Sequence, residues 1–370
     1  MSFITLESGG PVVYSYDKLG NRTATTTGRQ PAIPYTIDAN SNRLLKVGSQ
    51  TINRQYDNNG NTLSLNSAIQ KFSYNKANRM SQMYTKKDAN STYYTLKAEY
   101  FYNGIGQRIY KKYFNNANKP VYFNFMYNTN GQLLYQGKQK GNNLSQKWKR
   151  ETIWLGNKPI AQVRTIYGGN PSTEIYYILS DHLNTPRMVT NTSGTVLWSW
   201  NSDAFGTTAA NEDVDANGQH FTFNLRFPGQ FFDSESGKHY NYFRDYEAQT
   251  GRYLQSDPIG LYGNWNTYEY VNSQPLRRID VSGLICDNCT STGLPPKFQS
   301  MMRERLLAQC RKTNSCCQKS YSNCVVDCVS TLNPWWTVPV GGGLAGGALT
   351  EGACGTASTY TGVALGGWAV

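Results

Sequence analysis

Aromatic and polar positions follow a repeated pattern along the first 140 residues of the chain. Each copy has an aromatic residue, a spacer, a second aromatic residue or Ile, an Asp or Asn, a few turn residues and then Gly or Asn followed by a polar residue. The second apolar position falls at residues 16, 37, 56, 74, 102 and 127, a spacing typical of stacked structural repeats. The copies are Tyr14–Arg22, Tyr35–Arg43, Arg54–Asn61, Phe72–Arg79, Tyr100–Arg108 and Phe125–Gln132.

Each copy has the chemistry of a β-hairpin. An aromatic-x-aromatic segment predicts a strand with one buried face, because successive side chains of a strand point to opposite sides. Asp or Asn followed closely by Gly or Asn is typical of a tight turn that needs a positive φ. Since one hairpin is barely stable in water, the next hairpin has to cover its apolar face. We therefore expect a mainly β protein, built as one curling antiparallel sheet.

A second pattern lies between Arg244 and Leu284, where two D-x-x-G-L turns occur, Asp257–Leu261 and Asp280–Leu284. The character of the sequence changes directly after the second turn, because the first of the eight cysteines is Cys286. We take Leu284 as a domain boundary.

Composition places few limits on function. A chain of 370 residues with 39% hydrophobic residues is long enough for two or three folded domains. The net charge of +12 is spread along the sequence, without a long basic run, so it favours solubility over specific binding of nucleic acid. The start of the chain, MSFITLESGG, lacks the basic and apolar segments of a cleavable signal peptide.

The Tyr-Asp units resemble the YD repeats of the RHS (rearrangement hot spot) family, which includes bacterial polymorphic toxins and the C component of insecticidal toxin complexes. Ser180 to Gly206, with its Asp181-His182-Leu183 motif, is similar to a further signature of that family. Arg226-Phe227-Pro228-Gly229-Gln230 through Leu284 resembles the RHS-associated core. The resemblance covers residues 14–284. Within it, His182 is a lone histidine in a loop, which is usually structural, so we assign it no chemistry.

The resemblance implies three regions. Residues 1–179 would be the shell of YD-repeat hairpins, and residues 180–284 the RHS core that closes one end of this hollow, here partial, shell. Residues 285–370 would be the variable C-terminal cargo, usually a toxin, held inside.

The resemblance also implies that the core cuts the chain behind itself. The cleaving residues of the family are an Arg and an Asp thirteen residues apart and a second Asp shortly before the cut, a spacing that Arg244, Asp257 and Asp280 reproduce. The cut would fall between Leu284 and Ile285. Val281 replaces the proline usual in the second turn, and it lacks the fixed φ of proline.

The chemistry of such a trio can be argued from the residues themselves. Two neighbouring carboxyl groups that share one proton supply a base to activate water and an acid to protonate the leaving amine. A guanidinium between them would keep one carboxylate charged while the other stays protonated. The simpler interpretation remains open, in which Asp257 and Asp280 accept backbone hydrogen bonds in their turns and Arg244 is an ion-pair partner.

The cysteines of residues 285–370 allow two interpretations. Their density is typical of a small disulfide-stabilised secreted domain. A zinc site is the alternative, with Cys286, Cys289, Cys324 and Cys328 as four thiolate ligands, since the last histidine of the chain is His239. We expect disulfides rather than a metal, and no other cofactor. The eight positions are Cys286, Cys289, Cys310, Cys316, Cys317, Cys324, Cys328 and Cys354.

The cargo region has further local patterns. Apolar residues at helical spacing predict helices over 296–312 and 316–330. The Gly- and Ala-rich tail Val338–Val370 suits either a linker or insertion into a target membrane, although Glu351 would be costly there.

Two classes of function follow. The first is a self-processing toxin-delivery protein with a single-turnover aspartyl autopeptidase, secreted or displayed on the cell surface and delivered to a target cell. Its partners would be its own cargo, an immunity protein, an upstream shell or export-apparatus component and a target membrane. The second class is a structural or cell-surface repeat protein, or the orphan tip of a longer RHS protein, in which nothing is cut.

Overall fold

The computed structural model describes residues 2–7, 10–50, 54–65, 69–88, 90–139 and 146–284, with the backbone alone for residues 2–7 and Tyr262. The described residues form antiparallel strands in three sheets, together with two short 3-10 turns, Gly260–Tyr262 and Val271–Ser273. The predicted β class is therefore confirmed. The predicted helices and all eight cysteines lie outside the described residues.

In the first two sheets, each strand pairs with the next one along the chain. The first sheet consists of β1 (Ser2–Glu7), β2 (Gly10–Tyr16), β3 (Arg22–Thr27), β4 (Ile33–Ile37) and β5 (Leu44–Val47). The second sheet consists of β6 (Gln55–Tyr56), β7 (Thr62–Ser64), β8 (Gln70–Tyr74), β9 (Met80–Thr85), β10 (Thr95–Tyr102), β11 (Arg108–Phe114), β12 (Pro120–Tyr127), β13 (Leu133–Gln139), β14 (Gln146–Leu155), β15 (Lys158–Ile166), β16 (Ser172–Ser180), β17 (Pro186–Thr190) and β18 (Val196–Ser199). Its edge strands are β6 and β18, so the sheet is curled but not closed.

The Asp or Asn of each repeat organises its turn. Asp17 Oδ1 accepts hydrogen bonds from the backbone N–H groups of Leu19 and Asn21, at 2.9 and 2.8 Å. Gly20 follows with a φ of 75°, a conformation that glycine adopts without steric cost. The bond to the N–H four residues on recurs in four further repeats, with Asp57, Asn75, Asn103 and Asn128 as acceptors. The turn chemistry predicted from the sequence is thus observed.

The second aromatic residue of the repeat connects neighbouring hairpins. Tyr56 donates its hydroxyl proton to the carbonyl oxygen of Leu44, and Tyr74 donates to that of Thr62, each at 2.8 Å. Tyr102 makes the equivalent bond to Met80 at 2.8 Å. Each of these half-buried tyrosines therefore satisfies its hydroxyl on a strand of the preceding hairpin.

A third sheet packs against the inner face of the repeats. It consists of β19 (Phe231–Asp233), β20 (Lys238–Asn241), β21 (Arg244–Glu247) and β22 (Arg252–Tyr253). Every residue of β20, β21 and β22 is buried. Apolar contacts join this sheet to the repeats, for example the edge-to-face pair of Phe125 and Phe231, with ring centroids 5.4 Å apart.

Buried ion pairs join the same two layers. Arg108 binds Asp233 through both terminal nitrogens, at 2.5 and 3.0 Å, and Lys111 binds the same carboxylate at 2.8 Å. Arg54 of the repeats binds Glu247 at 2.6 Å, and Lys238 within the third sheet binds the same side chain at 2.8 Å. The desolvation of these charges is offset only while each cation keeps its carboxylate.

Asp233 offers a test of this arrangement. Although burial disfavours its charged form, Arg108 and Lys111 hold the pKa of Asp233 below its ordinary value. Asp233→Asn leaves Arg108 buried with a neutral partner, whereas Lys111 keeps Glu235 at 3.2 Å. We therefore expect the free energy of unfolding to fall by about 3–5 kcal/mol.

Chemical denaturation monitored by tryptophan fluorescence measures this loss. The matched control is Glu99→Gln, which removes the partner of Lys112 from a pair with side chains 21% and 29% exposed. It should cost about 0–1 kcal/mol. Equal losses in the two variants would contradict the importance of the buried pair.

Candidate functional site

Arg244, Asp257 and Asp280 meet in one buried place. Arg244 is the first residue of β21 and is 3% exposed. Its Nη2 lies 3.0 Å from Asp257 Oδ2 and 3.4 Å from Asp280 Oδ2. The structure therefore brings together the three side chains singled out by the sequence, with a single guanidinium nitrogen between the two carboxyl groups.

The guanidinium of Arg244 is held on several sides. Its Cζ lies 3.7 Å from the centre of the Tyr253 ring, a cation–π contact. Nη1 donates to the carbonyl oxygen of Thr267 at 3.1 Å, and Nε donates to that of Gly283 at 2.5 Å. These contacts hold the side chain independently of the two carboxylates. They also connect Gly283 of the second turn to β21.

Asp257 uses its two carboxyl oxygens differently. Oδ1 accepts a hydrogen bond from the backbone N–H of Ile259 at 2.9 Å, and this is the turn role expected of an Asp before Pro-x-Gly. Oδ2 faces Arg244. The backbone N–H of Asp257 donates to Thr267 at 2.8 Å, the same carbonyl that Arg244 contacts. The turn role and the ion-pair role therefore coexist in one side chain.

Asp280 is held by both of its oxygens. Oδ2 accepts the hydroxyl proton of Tyr253 at 2.8 Å, and Oδ1 accepts the backbone N–H of Leu284 at 3.1 Å. The backbone carbonyl of Asp280 accepts a bond from Asn241 Nδ2 at 2.9 Å. Burial raises the pKa of Asp280, although Arg244 and Tyr253 act in the opposite direction.

The second turn is packed tightly on the third sheet. Gly283 has a φ of 70°, and a Cβ there would lie 2.3 Å from the carbonyl oxygen of Asn241. The glycine of the R-F-P-G-Q motif, Gly229, packs equally closely, since its Cβ would lie 2.1 Å from the carbonyl oxygen of Val281. Leu284 is 2% exposed. The chain is therefore immobilised up to the residue that precedes the expected cut, and Ile285 lies outside the described residues.

Gly263 keeps the space beside Leu284 free. A Cβ at this position would lie 2.6 Å from Asp257 Oδ2 and 2.9 Å from the carbonyl oxygen of Leu284. The backbone of Gly263 is right-handed, with a φ of −77°, so its lack of a side chain serves packing and not backbone conformation. Asp257 and the Leu284 carbonyl are thus neighbours.

One repeat turn reaches the site from the shell. Gly60 accepts hydrogen bonds from the Tyr268 hydroxyl at 2.8 Å and from the backbone N–H of Ser256 at 3.3 Å. Thr62 donates to the carbonyl oxygen of Leu254 through its backbone N–H at 2.9 Å and its hydroxyl at 2.7 Å. These contacts support the segments next to Asp257 and Thr267.

The sequence interpretation missed four contributors, Tyr253, Asn241, Thr267 and Gly263. All four lie within residues 241–267, close in sequence to Arg244 and Asp257, but their roles become visible only from their contacts in the structure. His182, which was assigned no chemistry, is exposed, with its ring nitrogen 3.1 Å from the carbonyl oxygen of Leu276. Neither helical turn of the described residues has the length and apolarity needed to cross a membrane.

Comparisons with known proteins agree with this architecture. The family profile described as Teneurin YD-shell matches residues 163–276. Double-stranded DNA deaminase toxin A of Burkholderia cenocepacia is 37% identical over 114 residues, which make up 30% of this chain and 8% of that protein. Toxin protein Tse5 of Pseudomonas aeruginosa is 35% identical over 111 residues, again 30% of this chain and 8% of the relative. The chain thus spans a small part of the length of either toxin.

A solved structure extends the likeness beyond the matched segment. The Photorhabdus luminescens Tc holotoxin pore matches 77% of this chain and 14% of its own chain, with a TM-score of 0.59 at 21% identity. At that identity the match shows the fold alone. The Tyr-Asp repeats, the family profile and the toxin relatives together support an RHS/YD-repeat family for this chain.

Proposed function

We propose that residues 244–284 form a single-turnover aspartyl autopeptidase that hydrolyses the peptide bond between Leu284 and Ile285. The observation that carries this proposal is the position of one Arg244 nitrogen 3.0 Å from Asp257 and 3.4 Å from Asp280. Asp280 in turn accepts the backbone N–H of Leu284, so the site is attached to its own substrate.

The step is a hydrolysis. One carboxylate of the pair takes a proton from water, whose oxygen adds to the carbonyl carbon of Leu284. The other, protonated carboxyl gives its proton to the nitrogen of Ile285 as the carbon–nitrogen bond breaks. The products are a carboxylate at Leu284 and a new amino terminus at Ile285, and the pair as a whole again holds one proton.

The surroundings favour this division of one proton between two carboxyl groups. Two buried carboxylates beside a single guanidinium carry one negative charge too many, and protonation of one group removes it. Asp257 Oδ2 lies on the side of the Leu284 carbonyl, because both oxygens would lie within 3 Å of a Cβ at Gly263. Asp280 holds the Leu284 amide, and burial raises its pKa.

The product of the cut would be residues 285–370, a Cys-rich effector carried by the β-shell. The names of the two toxin relatives support a role in toxin delivery. In this proposal the protein is secreted or displayed and reaches a target cell. Its partners are its own cargo, an immunity protein in the producing cell, an upstream shell or export component and a target membrane.

Asp280→Asn tests the cut itself. Asparagine keeps the size of the side chain but cannot share a proton, so we expect the variant to stay intact. The wild type should separate under denaturing conditions into two chains, one ending at Leu284 and one beginning at Ile285. Intact-mass spectrometry of both proteins provides the measurement.

Asp257→Asn should behave like Asp280→Asn. The control is Asp203→Asn, which changes a turn aspartate that bonds Thr207 outside the site, and this variant should still be cut. A wild-type chain that remains whole would refute the autopeptidase and favour a structural repeat protein.

Gly263→Ala tests the geometry without touching a carboxyl group. The added methyl would lie within 3 Å of both Asp257 Oδ2 and the Leu284 carbonyl oxygen. Because the backbone of Gly263 is right-handed, alanine adds little backbone strain, so we expect slower cleavage, by about tenfold or more, in a folded protein.

Timed samples of refolding precursor, separated on denaturing gels, give the rate. Gly169→Ala is the matched control, because a Cβ there has no neighbour within 4 Å. Equal rates for the two alanine variants would show that the space beside Leu284 has no part in the reaction.

A further inference from the structure

Tyr253 contacts two of the three side chains of the candidate site, Arg244 and Asp280. It lies at the end of β22 and is 3% exposed. Its hydroxyl donates to Asp280 Oδ2 at 2.8 Å, and its ring lies 3.7 Å from Arg244 Cζ. It thus touches both the carboxyl and the guanidinium, although it has no part in the hydrolysis described above.

The direction of the Tyr253 hydroxyl is fixed by Asn241. Asn241 Nδ2 donates one hydrogen to the Tyr253 oxygen at 2.7 Å and the other to the Asp280 carbonyl oxygen at 2.9 Å. Since the Tyr253 oxygen already accepts this bond, its own proton points to Asp280. Burial and the neighbouring Asp280 raise the pKa of Tyr253 well above its usual value, so the hydroxyl stays protonated.

We infer that Tyr253 is a positioning residue for the proposed cleavage, which holds the carboxyl of Asp280 through its hydroxyl and the guanidinium of Arg244 through its ring. The inference rests on the proposed autopeptidase and extends it. Asp280 Oδ1 holds the substrate amide of Leu284, so a carboxyl free to rotate would lose its alignment with the peptide to be cut.

The charged and titratable groups that face Asp280 are few among the described residues. Arg244 lies at 3.4 Å on β21, Tyr253 at 2.8 Å on β22, and Asp257 lies across the guanidinium. The Tyr253 hydrogen bond lowers the pKa of Asp280, against the raising effect of burial. Removal of the hydroxyl should therefore raise the pKa of Asp280 further.

The experiment compares Tyr253→Phe with the wild type. Denatured, uncut full-length precursor is refolded over a series of pH values, and the rate of cleavage is followed on denaturing gels. We expect the variant to cut more slowly, and the limb of the pH–rate profile that belongs to Asp280 to move to higher pH by about one unit.

Tyr268→Phe is the matched control. Tyr268 is also a buried tyrosine, 4% exposed, and its hydroxyl bonds the Gly60 carbonyl instead of a site carboxyl. Loss of the Tyr268 hydroxyl should lower the free energy of unfolding and leave the pH–rate profile of cleavage at the same pH values. If the pH dependence of the Tyr253→Phe cleavage rate coincides with that of the wild type and of Tyr268→Phe, the inference is overturned and the autopeptidase stands. A wild-type chain that is not cut at all overturns both.

Asn241→Ala provides a second variant should Tyr253→Phe fail to fold. It removes the donor that orients the Tyr253 hydroxyl and keeps the ring beneath Arg244. The same limb should move in the same direction by a smaller amount. An unchanged limb in this variant also counts against the positioning role.

Discussion

The fold depends on the neutralisation of basic side chains inside a β-sheet. Arg54, Arg108 and Lys111 point inward from the repeats and are buried. Their carboxylate partners, Asp233 and Glu247, are supplied by the third sheet. Without that sheet Arg54 and Arg108 would lose their carboxylate partners, and without the repeats Asp233 would lose Arg108 and Lys111. The stability of each layer therefore depends on ion pairs with the other layer.

The candidate site uses the same physics in an unbalanced form. At the structural pairs, cations equal or exceed carboxylates, so the acids are stabilised in their charged state. At Arg244 two buried carboxyl groups face a single cation, and the surplus acid is available to carry a proton. A small change in the ratio of charges thus distinguishes a group that holds the fold together from a group suited to proton transfer.

The local features were predictable from sequence because their causes are local. The repeat turns follow from Asp or Asn a few residues before Gly or Asn, and the strands follow from alternating aromatic residues. Arg244, Asp257 and Asp280 were identified by spacing and by the family resemblance, and the structure brings them together. The partners across the layers were not predictable, because Arg54 and Glu247 are 193 residues apart and their pairing depends on how the sheet curls. Tyr253 was missed for a related reason, since a tyrosine in a Tyr-rich chain carries no signal until its hydroxyl is seen to point at a carboxyl group.

The contact of Gly60 and Thr62 with Leu254, Ser256 and Tyr268 links the site to the order of synthesis. A ribosome makes this repeat turn long before it makes the segment that docks on it, and it makes Leu284 after both. During that interval the inward-facing cations of the repeats have no acids to bind. The early hairpins therefore gain their full stability only after the third sheet has been synthesised. Repeats and third sheet thus complete one another late, shortly before residues 285–370 are made.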